Sequence, residues 1–199
     1  MNTTIALLDD HQMVLEGIRQ TLQSEVTFEV LAAFTDPEEY ISFLKMNAVN
    51  IVIMDMMLKK CHAFDLVPII QAMSNPPKII LISGFYEPLL HKRALSLGVQ
   101  AFMRKEASHE ELVNTIKSVK DGNRIIPDTL LQENDEFLTQ TELKVLNFVA
   151  KEYTNESIAK ALFISRRTVE SHVSSICSKL QVQTRIGAVR EGIKLNLIK

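Results

Sequence analysis

The stretch "IVIMDMML" at residues 51–58 sets one carboxylate, Asp55, inside a run of apolar side chains. A charge surrounded by hydrocarbon is costly unless it is paired, bound to a metal, or held at the open end of a strand. Comparable β-rich runs occur elsewhere, and we predict strands at 3–8, 28–34, 51–54, 78–83 and 101–105. Several runs are continuously apolar, which is typical of strands covered on both faces. The stretch therefore predicts a buried strand with Asp55 at its carboxyl end.

Helical segments separate these runs. Asp36-Pro37 places a capping residue before a proline at the first helical position. "SHEE" at 108–111 has the spacing of a capping box. This alternation predicts an α/β domain with a five-stranded parallel, doubly wound sheet and helices on both faces. In such a sheet, ligands bind beyond the carboxyl ends of the strands, where the strand order reverses.

Composition favours a globular protein without a membrane partner. Of 199 residues, 46% are hydrophobic and 23% are charged. No apolar run reaches the roughly 18 residues of a membrane span, and the first residues lack a signal-peptide pattern. We therefore expect a cytoplasmic protein. Cys61 and Cys177 match no metal-ligand spacing, which favours two reduced thiols over a disulfide.

The character of the chain changes after the first 120 residues. We interpret 121–136, rich in Gly, Pro, Asn and acids, as a linker between domains at 1–120 and 137–199. Residues 1–136 carry a net charge of −7 and residues 137–199 one of +5, within a total of −2. This division suggests a basic module that binds a partner such as nucleic acid, although uneven scatter of surface charge is the alternative. The helical patterns after residue 137 open with another capping box, Thr139 to Glu142, and predict an all-α bundle of four short helices.

Five polar residues follow or end the predicted strands. They are Asp9, Asp10, Asp55, Ser83 and Lys105, and all fall on the carboxyl edge of the sheet. Carboxylate oxygens with a backbone carbonyl and water suit Mg²⁺, and a carboxylate can attack phosphorus to give an aspartyl-phosphate. A lysine and a hydroxyl would stabilise the transferred group. The alternative is that the first two acids cap a helix and the lysine forms an ordinary surface pair; the shared edge favours the site.

Four segments, "LLDDHQMVLEGI", "IVIMD", "LISG" and "AFMRK", resemble the flavodoxin-like receiver domain of bacterial two-component response regulators. The resemblance implies that Asp55 accepts phosphate from a sensor histidine kinase. It also implies an Mg²⁺ site formed by Asp10, Asp55 and the main-chain carbonyl of Met57, with Asp9 acting through water. The residues that would bind phosphate and switch conformation are Ser83, Lys105 and the aromatic Phe102. For the aromatic residue, plain core packing is the alternative.

Some positions depart from the receiver pattern. Leu58-Lys59 stands where the family usually has Met-Pro, Ala63 stands in place of a glycine, and Glu106 in place of a frequent proline. These changes predict a differently shaped loop after Asp55, whereas the charged groups needed for phosphorylation are all present. His11, His62, His91 and His109 have no assigned role and are expected at solvated surface positions.

Residues 138–180 are similar to the LuxR/NarL-type helix-turn-helix. We predict that Ser165 caps a helix over 166–180, buried along a stripe of Val169, Val173, Ile176 and Leu180. The candidate DNA-contacting residues are Arg166, Arg167, Thr168, Glu170, Ser171, Ser174, Ser178 and Lys179. The alternative is a bundle that binds protein, and the sequence departs from the family pattern at three positions. Glu170 and Ser174 occupy positions where the family often has a basic residue, and Glu152 stands where a glycine often ends the first helix.

The resemblance also implies a dimer surface on the last predicted helix. Ile186, Val189 and Ile193 are the candidate residues, although a purely core role fits the sequence equally well. The whole pattern predicts a two-component transcription regulator, not an enzyme, that binds double-stranded DNA as a homodimer when phosphorylated. A phosphorylation-independent DNA-binding dimer is one alternative. An aspartate-nucleophile phosphatase is another, but such enzymes commonly have an acid where this chain has Met57.

Overall fold

The computed structural model describes residues 2–84, 88–125 and 138–198. The chain divides into two compact units, residues 1–132 and 133–199. Most of the predicted linker, residues 126–136, lies outside the described residues, so the predicted domain boundaries stay predictions. Within the described ranges, no helix is long and apolar enough to cross a membrane.

The first unit is built on a five-stranded parallel sheet in the order β2-β1-β3-β4-β5. The strands are β1 (Thr3–Leu8), β2 (Phe28–Phe34), β3 (Ile51–Asp55), β4 (Lys78–Ser83) and β5 (Ala101–Arg104). This confirms the predicted fold class, with two corrections at strand ends. The third strand includes Asp55, because the Met56 N–H continues the ladder by donating to the Ile82 carbonyl at 2.9 Å. The fifth strand ends at Arg104, one residue before Lys105.

The described part of this unit contains five helices. They are α1 (Gln12–Gln23), α2 (Pro37–Met46), α3 (Ala63–Gln71), α4 (Pro88–Ser96) and α5 (His109–Lys120). The Asp36 carboxylate accepts hydrogen bonds from the Glu38 and Glu39 N–H groups at 2.8 and 3.2 Å, directly before Pro37. Ser108 accepts from the Glu111 N–H at 3.1 Å. Both predicted helix starts are therefore confirmed.

The alternation of side chains along the strands divides the core into two layers. Ile5, Leu7, Ile53 and Ile80 belong to one buried cluster that includes residues of α1 and α5. Their neighbours in sequence point to the opposite face of the sheet, since side chains alternate along a strand. Strands β3 and β4 are buried on nearly every residue. Their polar ends are thus held rigidly at the sheet edge.

The second unit is helical throughout its described part. Its helices are α6 (Gln140–Ala150), α7 (Asn155–Leu162), α8 (Arg166–Lys179) and α9 (Arg185–Lys194). The predicted capping box at Thr139 and Glu142 is present, with both reciprocal bonds. Between α7 and α8, Phe163 takes a left-handed conformation (φ 56°) and Ser165 accepts from the Thr168 N–H at 3.1 Å. Such a left-handed residue followed by a cap produces a tight turn that sets the direction of α8.

Glu152 also has a left-handed backbone, with φ 62°. A side chain in this region costs roughly 1 kcal/mol relative to glycine. The resembled family often has glycine at this position, so the departure is a strained helix end.

Candidate functional site

The acidic residues converge where the strand order reverses. β1 lies between β2 and β3, and a crevice at the carboxyl ends of such strands is the usual ligand site of this architecture. Asp9 and Asp10 follow β1, and Asp55 ends β3 with only 3% of its surface exposed. Asp9, Asp10, His11 and Asp55 each place a potential ligand atom within 4.8 Å of the others. The predicted gathering of the acids is therefore present in the structure.

Lys105 bridges two of these carboxylates. Its Nζ lies 2.7 Å from Asp9 Oδ2 and 2.9 Å from Asp55 Oδ2. Burial raises the pKa of the Asp55 carboxyl; the hydrogen bond from Lys105 opposes the rise and the nearby Asp9 charge adds to it. Burial alone would lower the pKa of Lys105, but its bonds to Asp9 and Asp55 outweigh burial and raise it. The lysine thus stays charged and holds the two buried acids together.

Asp10 is held by two other neighbours. His11 Nδ1 lies 2.8 Å from Asp10 Oδ1. The main-chain N–H of Lys59 donates to Asp10 Oδ2 at 3.1 Å, and the Lys59 ammonium lies 3.7 Å from the same oxygen. Sequence reasoning noted Lys59 only as a departure from the receiver pattern and missed this contact.

The donor set suits a hard divalent cation. Asp10 Oδ1 and Asp9 Oδ2 are buried and have no hydrogen-bond partner of good geometry, although His11 Nδ1 lies beside the first oxygen and the Lys105 ammonium beside the second. Mg²⁺ prefers such carboxylate oxygens together with carbonyl and water ligands. The individual ligand roles of Asp9, Asp10, Asp55 and the Met57 carbonyl stay predictions.

Ser83 and Phe102 lie close to the same edge. Ser83 is the last residue of β4 and is buried, and its carbonyl accepts from the Lys105 N–H at 2.9 Å. Phe102 is buried in β5, and its ring stands edge-on to that of His91 with 5.5 Å between centroids. Their roles in phosphate binding and switching stay predictions.

The expectation of a surface position is wrong for His91. Its side chain is fully buried in α4, and its Nε2 lies 3.3 Å from the carbonyl oxygen of Ile125. Burial lowers the pKa of this imidazole, and the contact with Ile125 partly opposes that effect. The apolar pattern of the nine-residue helix does not indicate which side His91 faces, so the burial of His91 could not be predicted from the sequence.

The predicted recognition helix α8 has one buried and one exposed face. Val169 and Ile176 are buried, whereas Val173 is only half-buried. On the outer face, the exposed DNA-contact candidates are Arg166, Arg167, Thr168, Glu170, Ser171, Ser174 and Ser178. Arg166 Nε lies 2.9 Å from Glu170 Oε1. The glutamate that departs from the family pattern is therefore paired with a cation one helical turn earlier.

Lys179, the remaining candidate, joins a network around the buried Glu142. Its Nζ lies 3.0 Å from Glu142 Oε2, which also accepts from the Thr139 N–H at 2.7 Å. The hydroxyl of Ser175 donates to Glu142 Oε1 at 2.6 Å. Burial alone would raise the pKa of Glu142, but these hydrogen bonds outweigh it and lower the pKa to about 2. The network fixes α8 to the start of α6, so contact between Lys179 and a DNA phosphate stays a prediction.

Two isoleucines of α9 are exposed beside the charged residues Arg190 and Lys194. Ile186 is 78% and Ile193 is 55% exposed, and Val189 is half-buried. The helix packs instead through Ala188 and Gly192. A Cβ added at Gly192 would come within 3.0 Å of a Leu146 methyl group. A purely core role is therefore wrong for the two isoleucines, and the dimer role of all three candidates stays a prediction.

Acids and a lysine at the switch point of a parallel sheet, with a separate helix-turn-helix unit, define a receiver joined to a DNA-binding domain. The family model "Response regulator receiver domain" matches residues 5–117. That for "Bacterial regulatory proteins, luxR family" matches residues 136–191. The chain belongs to the response regulator family, and its combination of domains is that of a two-component transcription regulator. The family consists of DNA-binding regulators, which are generally not enzymes.

Relatives and solved structures agree with this assignment. The response regulator protein VraR of Staphylococcus aureus strain Mu3 is 28% identical, with 100% of both chains covered. A structure of the two-component response regulator RcsB in complex with DNA is similar with a TM-score of 0.71 and 25% identity, covering 96% of this chain and 98% of that one. The receiver domain of a NarL response regulator from Mycobacterium tuberculosis shares the fold, with a TM-score of 0.58 and 20% identity over 61% of this chain and 98% of its own.

Replacing His91 by Ala should destabilise the first unit by about 2 kcal/mol, because a cavity forms and the Ile125 carbonyl loses a partner. The folded-state pKa of His91 lies below its ordinary 6.5, so its contribution is present above pH 6.5 and declines as pH falls through that value. His91→Phe should keep the packing and lose this part of the pH dependence. Amide hydrogen exchange of the first unit measures both effects. If His91→Ala were as stable as the control His109→Ala, which changes an exposed residue, the stabilising role of the buried His91 would be contradicted.

Glu142→Gln should destabilise the second unit and remove most of its sensitivity to acid. The Glu142 pKa falls from 4.5 to about 2 on folding, so its contribution is full above pH 4.5 and is lost as pH falls towards 2. The shift corresponds to at most about 3 kcal/mol. Urea unfolding at pH 7 and pH 3, monitored by hydrogen exchange of the second-unit amides, tests this. Glu156→Gln, in an exposed pair with Lys160, is the matched control and should change stability by less than about 0.5 kcal/mol.

Proposed function

We propose that the chain is a transcription regulator whose DNA binding is controlled by phosphorylation of Asp55 by a sensor histidine kinase. The observation that carries the proposal is the position of Asp55 at the end of β3, 2.9 Å from Lys105 and close to Asp9 and Asp10. A carboxylate in this position combines a nucleophilic oxygen with a nearby positive charge. The receiver family match over residues 5–117 supports the same function.

The groups around Asp55 fit phosphoryl transfer. A carboxylate oxygen would attack the phosphorus of a phosphohistidine, the P–N bond would break, and the histidine of the donor would take a proton. Lys105 would neutralise negative charge on the phosphoryl oxygens, and Ser83 would donate a hydrogen bond to one of them. Asp9, Asp10 and the Met57 carbonyl, with Asp55, would hold Mg²⁺. When bound, that ion would supply further neutralisation of the transferred charge.

Access to Asp55 requires local movement of the loop after β3. The Asp55 side chain is 4% exposed, and its Oδ1 accepts from the Met57 N–H at 3.4 Å. Met57 itself is 52% exposed, and the Lys59 side chain is 73% exposed. These two side chains lie at the surface and can be displaced by an approaching donor domain at little cost. Nearby, a cavity of about 330 Å³ is lined by residues of α1, by the start of α5 and by Lys105 after β5, and it is a candidate contact for that domain.

The second unit would read double-stranded DNA through the outer face of α8. Small polar side chains at its centre can approach base edges, while the arginines at its start can meet phosphates. The RcsB protein has been solved as dimers bound to DNA, and the exposed Ile186 and Ile193 side chains of α9 support a homodimer here as well. Phosphorylation would replace the single negative charge of Asp55 by one of about −2 and promote this pairing. Both the kinase and the DNA imply a cytoplasmic location.

Replacing Asp55 by Asn should abolish labelling by acetyl phosphate, because the amide cannot act as the nucleophile. Mass spectrometry of the intact protein measures the label, which is lost at alkaline pH if it is an acyl phosphate. The control is Asp36→Asn, which changes a carboxylate that caps α2 and pairs with Lys60. This variant should be labelled like the unmodified sequence. A label that persists in Asp55→Asn would refute the phosphoacceptor assignment.

Arg167→Ala should weaken DNA binding by a similar factor on all duplexes and reduce the salt-dependence slope by about 1, as expected for a phosphate contact.

Glu170→Gln should raise the affinity for DNA and alter the sequence preference, because it removes a negative charge from the outer face of α8, which would meet the DNA. Gel shifts with a selected duplex, with and without acetyl phosphate, measure both. Lys117→Ala removes an exposed cation of the first unit and serves as the control. Unchanged binding in both α8 variants would contradict this interface, and equal affinity in the two phosphorylation states would favour the phosphorylation-independent alternative.

A further inference from the structure

Two different groups of Lys59 contact the same oxygen of Asp10. The main-chain N–H donates to Asp10 Oδ2 at 3.1 Å, and the ammonium lies 3.7 Å from that oxygen. The ammonium also lies 3.5 Å from the main-chain carbonyl of Asp10. Residue 59 therefore contacts both the backbone and the side chain of Asp10, although it lies 49 positions further along the chain.

These contacts depend on the residue type at position 59. A proline could not donate the N–H bond, and an uncharged side chain could not supply the ammonium. The neighbouring lysine does not share the role, because Lys60 pairs with Asp36 at the start of α2. The Asp10 side chain is only 9% exposed, whereas that of Lys59 is 73% exposed, so solvent and salt screen their interaction in part.

We propose that Lys59 is a built-in counter-ion of Asp10 that competes with Mg²⁺ and sets how tightly the unmodified pocket binds the metal. The inference rests on the proposed function, because it assigns a metal-tuning residue to that same site. Mg²⁺ bound to Asp10 would lie close to a second positive charge, and binding would displace the ammonium or work against its repulsion. The affinity of the unmodified pocket is therefore lower than its three carboxylates alone would give.

The two contacts of Lys59 can be separated by substitution. Lys59→Met keeps the N–H and a side chain of similar length but removes the charge. Lys59→Pro removes both contacts. Lys60→Met removes the adjacent ammonium that pairs with Asp36 and is the matched control. Because both lysines are exposed, these variants should fold normally, which circular dichroism and thermal unfolding check.

The measurement is Mg²⁺ binding to the full chain by isothermal titration calorimetry, at low and high salt. We expect Lys59→Met to bind Mg²⁺ about tenfold more tightly, as removal of one nearby like charge implies. Lys59→Pro should bind at least as tightly as Lys59→Met if the main-chain bond also competes. Lys60→Met should stay within about twofold of the unmodified sequence, which is the size of effect expected for a distant exposed charge. Raising the salt concentration should narrow the difference between the unmodified sequence and Lys59→Met.

Unchanged or weaker Mg²⁺ binding in Lys59→Met would overturn the inference, as would an equal gain in Lys60→Met. Labelling of Asp55 by acetyl phosphate is measured in parallel on the same proteins. If Asp55 is labelled but Lys59→Met does not gain affinity, the counter-ion role fails while the proposed function stands. If Asp55 is not labelled and none of the variants binds Mg²⁺, both fail.

Discussion

The ion pairs from Lys105 to Asp9 and Asp55 are the interaction on which the rest of the first unit depends. Two carboxylates buried at the end of a sheet repel one another, and the pocket is stable only if a cation lies between them. Lys105 lies 2.7 and 2.9 Å from their oxygens, and its N–H is bonded to the end of β4. One residue thus connects the carboxyl ends of β1, β3, β4 and β5. The geometry of the pocket is therefore fixed by the sheet.

Most of this arrangement follows from the sequence. Continuous apolar runs end at polar residues, and in a parallel sheet those ends share one edge. For that reason the positions of Asp9, Asp55 and Ser83 could be predicted without a structure. The helix starts at Asp36, Thr139 and Ser165 were equally accessible, because a cap is a contact between residues two or three positions apart.

The contacts that could not be predicted join residues far apart in the chain. Lys59 to Asp10, His91 to Ile125 and Lys179 to Glu142 are separated by 49, 34 and 37 positions. Each depends on how a loop closes or how two helices rotate against one another, which local patterns do not define. The sequence predicted an altered loop after Asp55. It did not predict that the main-chain N–H of Lys59 in this loop would donate to Asp10. The capping box predicted the hydrogen bond between Glu142 and the Thr139 N–H. The bonds of Glu142 to Ser175 and Lys179 depend on how α8 packs on α6 and could not be predicted.

The charges of the acidic pocket suggest why a lysine at position 59 is compatible with regulation. In the unmodified pocket, three carboxylates lie near the two ammonium groups of Lys59 and Lys105, which leaves about one negative charge in excess, apart from His11. A divalent cation would overshoot neutrality there. Phosphorylation of Asp55 would exchange its single charge for one of about −2, and the pocket with Mg²⁺ would then be close to neutral. Lys59 would oppose the metal in both states, and the negative charge that phosphorylation adds would offset this repulsion, so that metal binding and phosphorylation of Asp55 would favour each other by linkage.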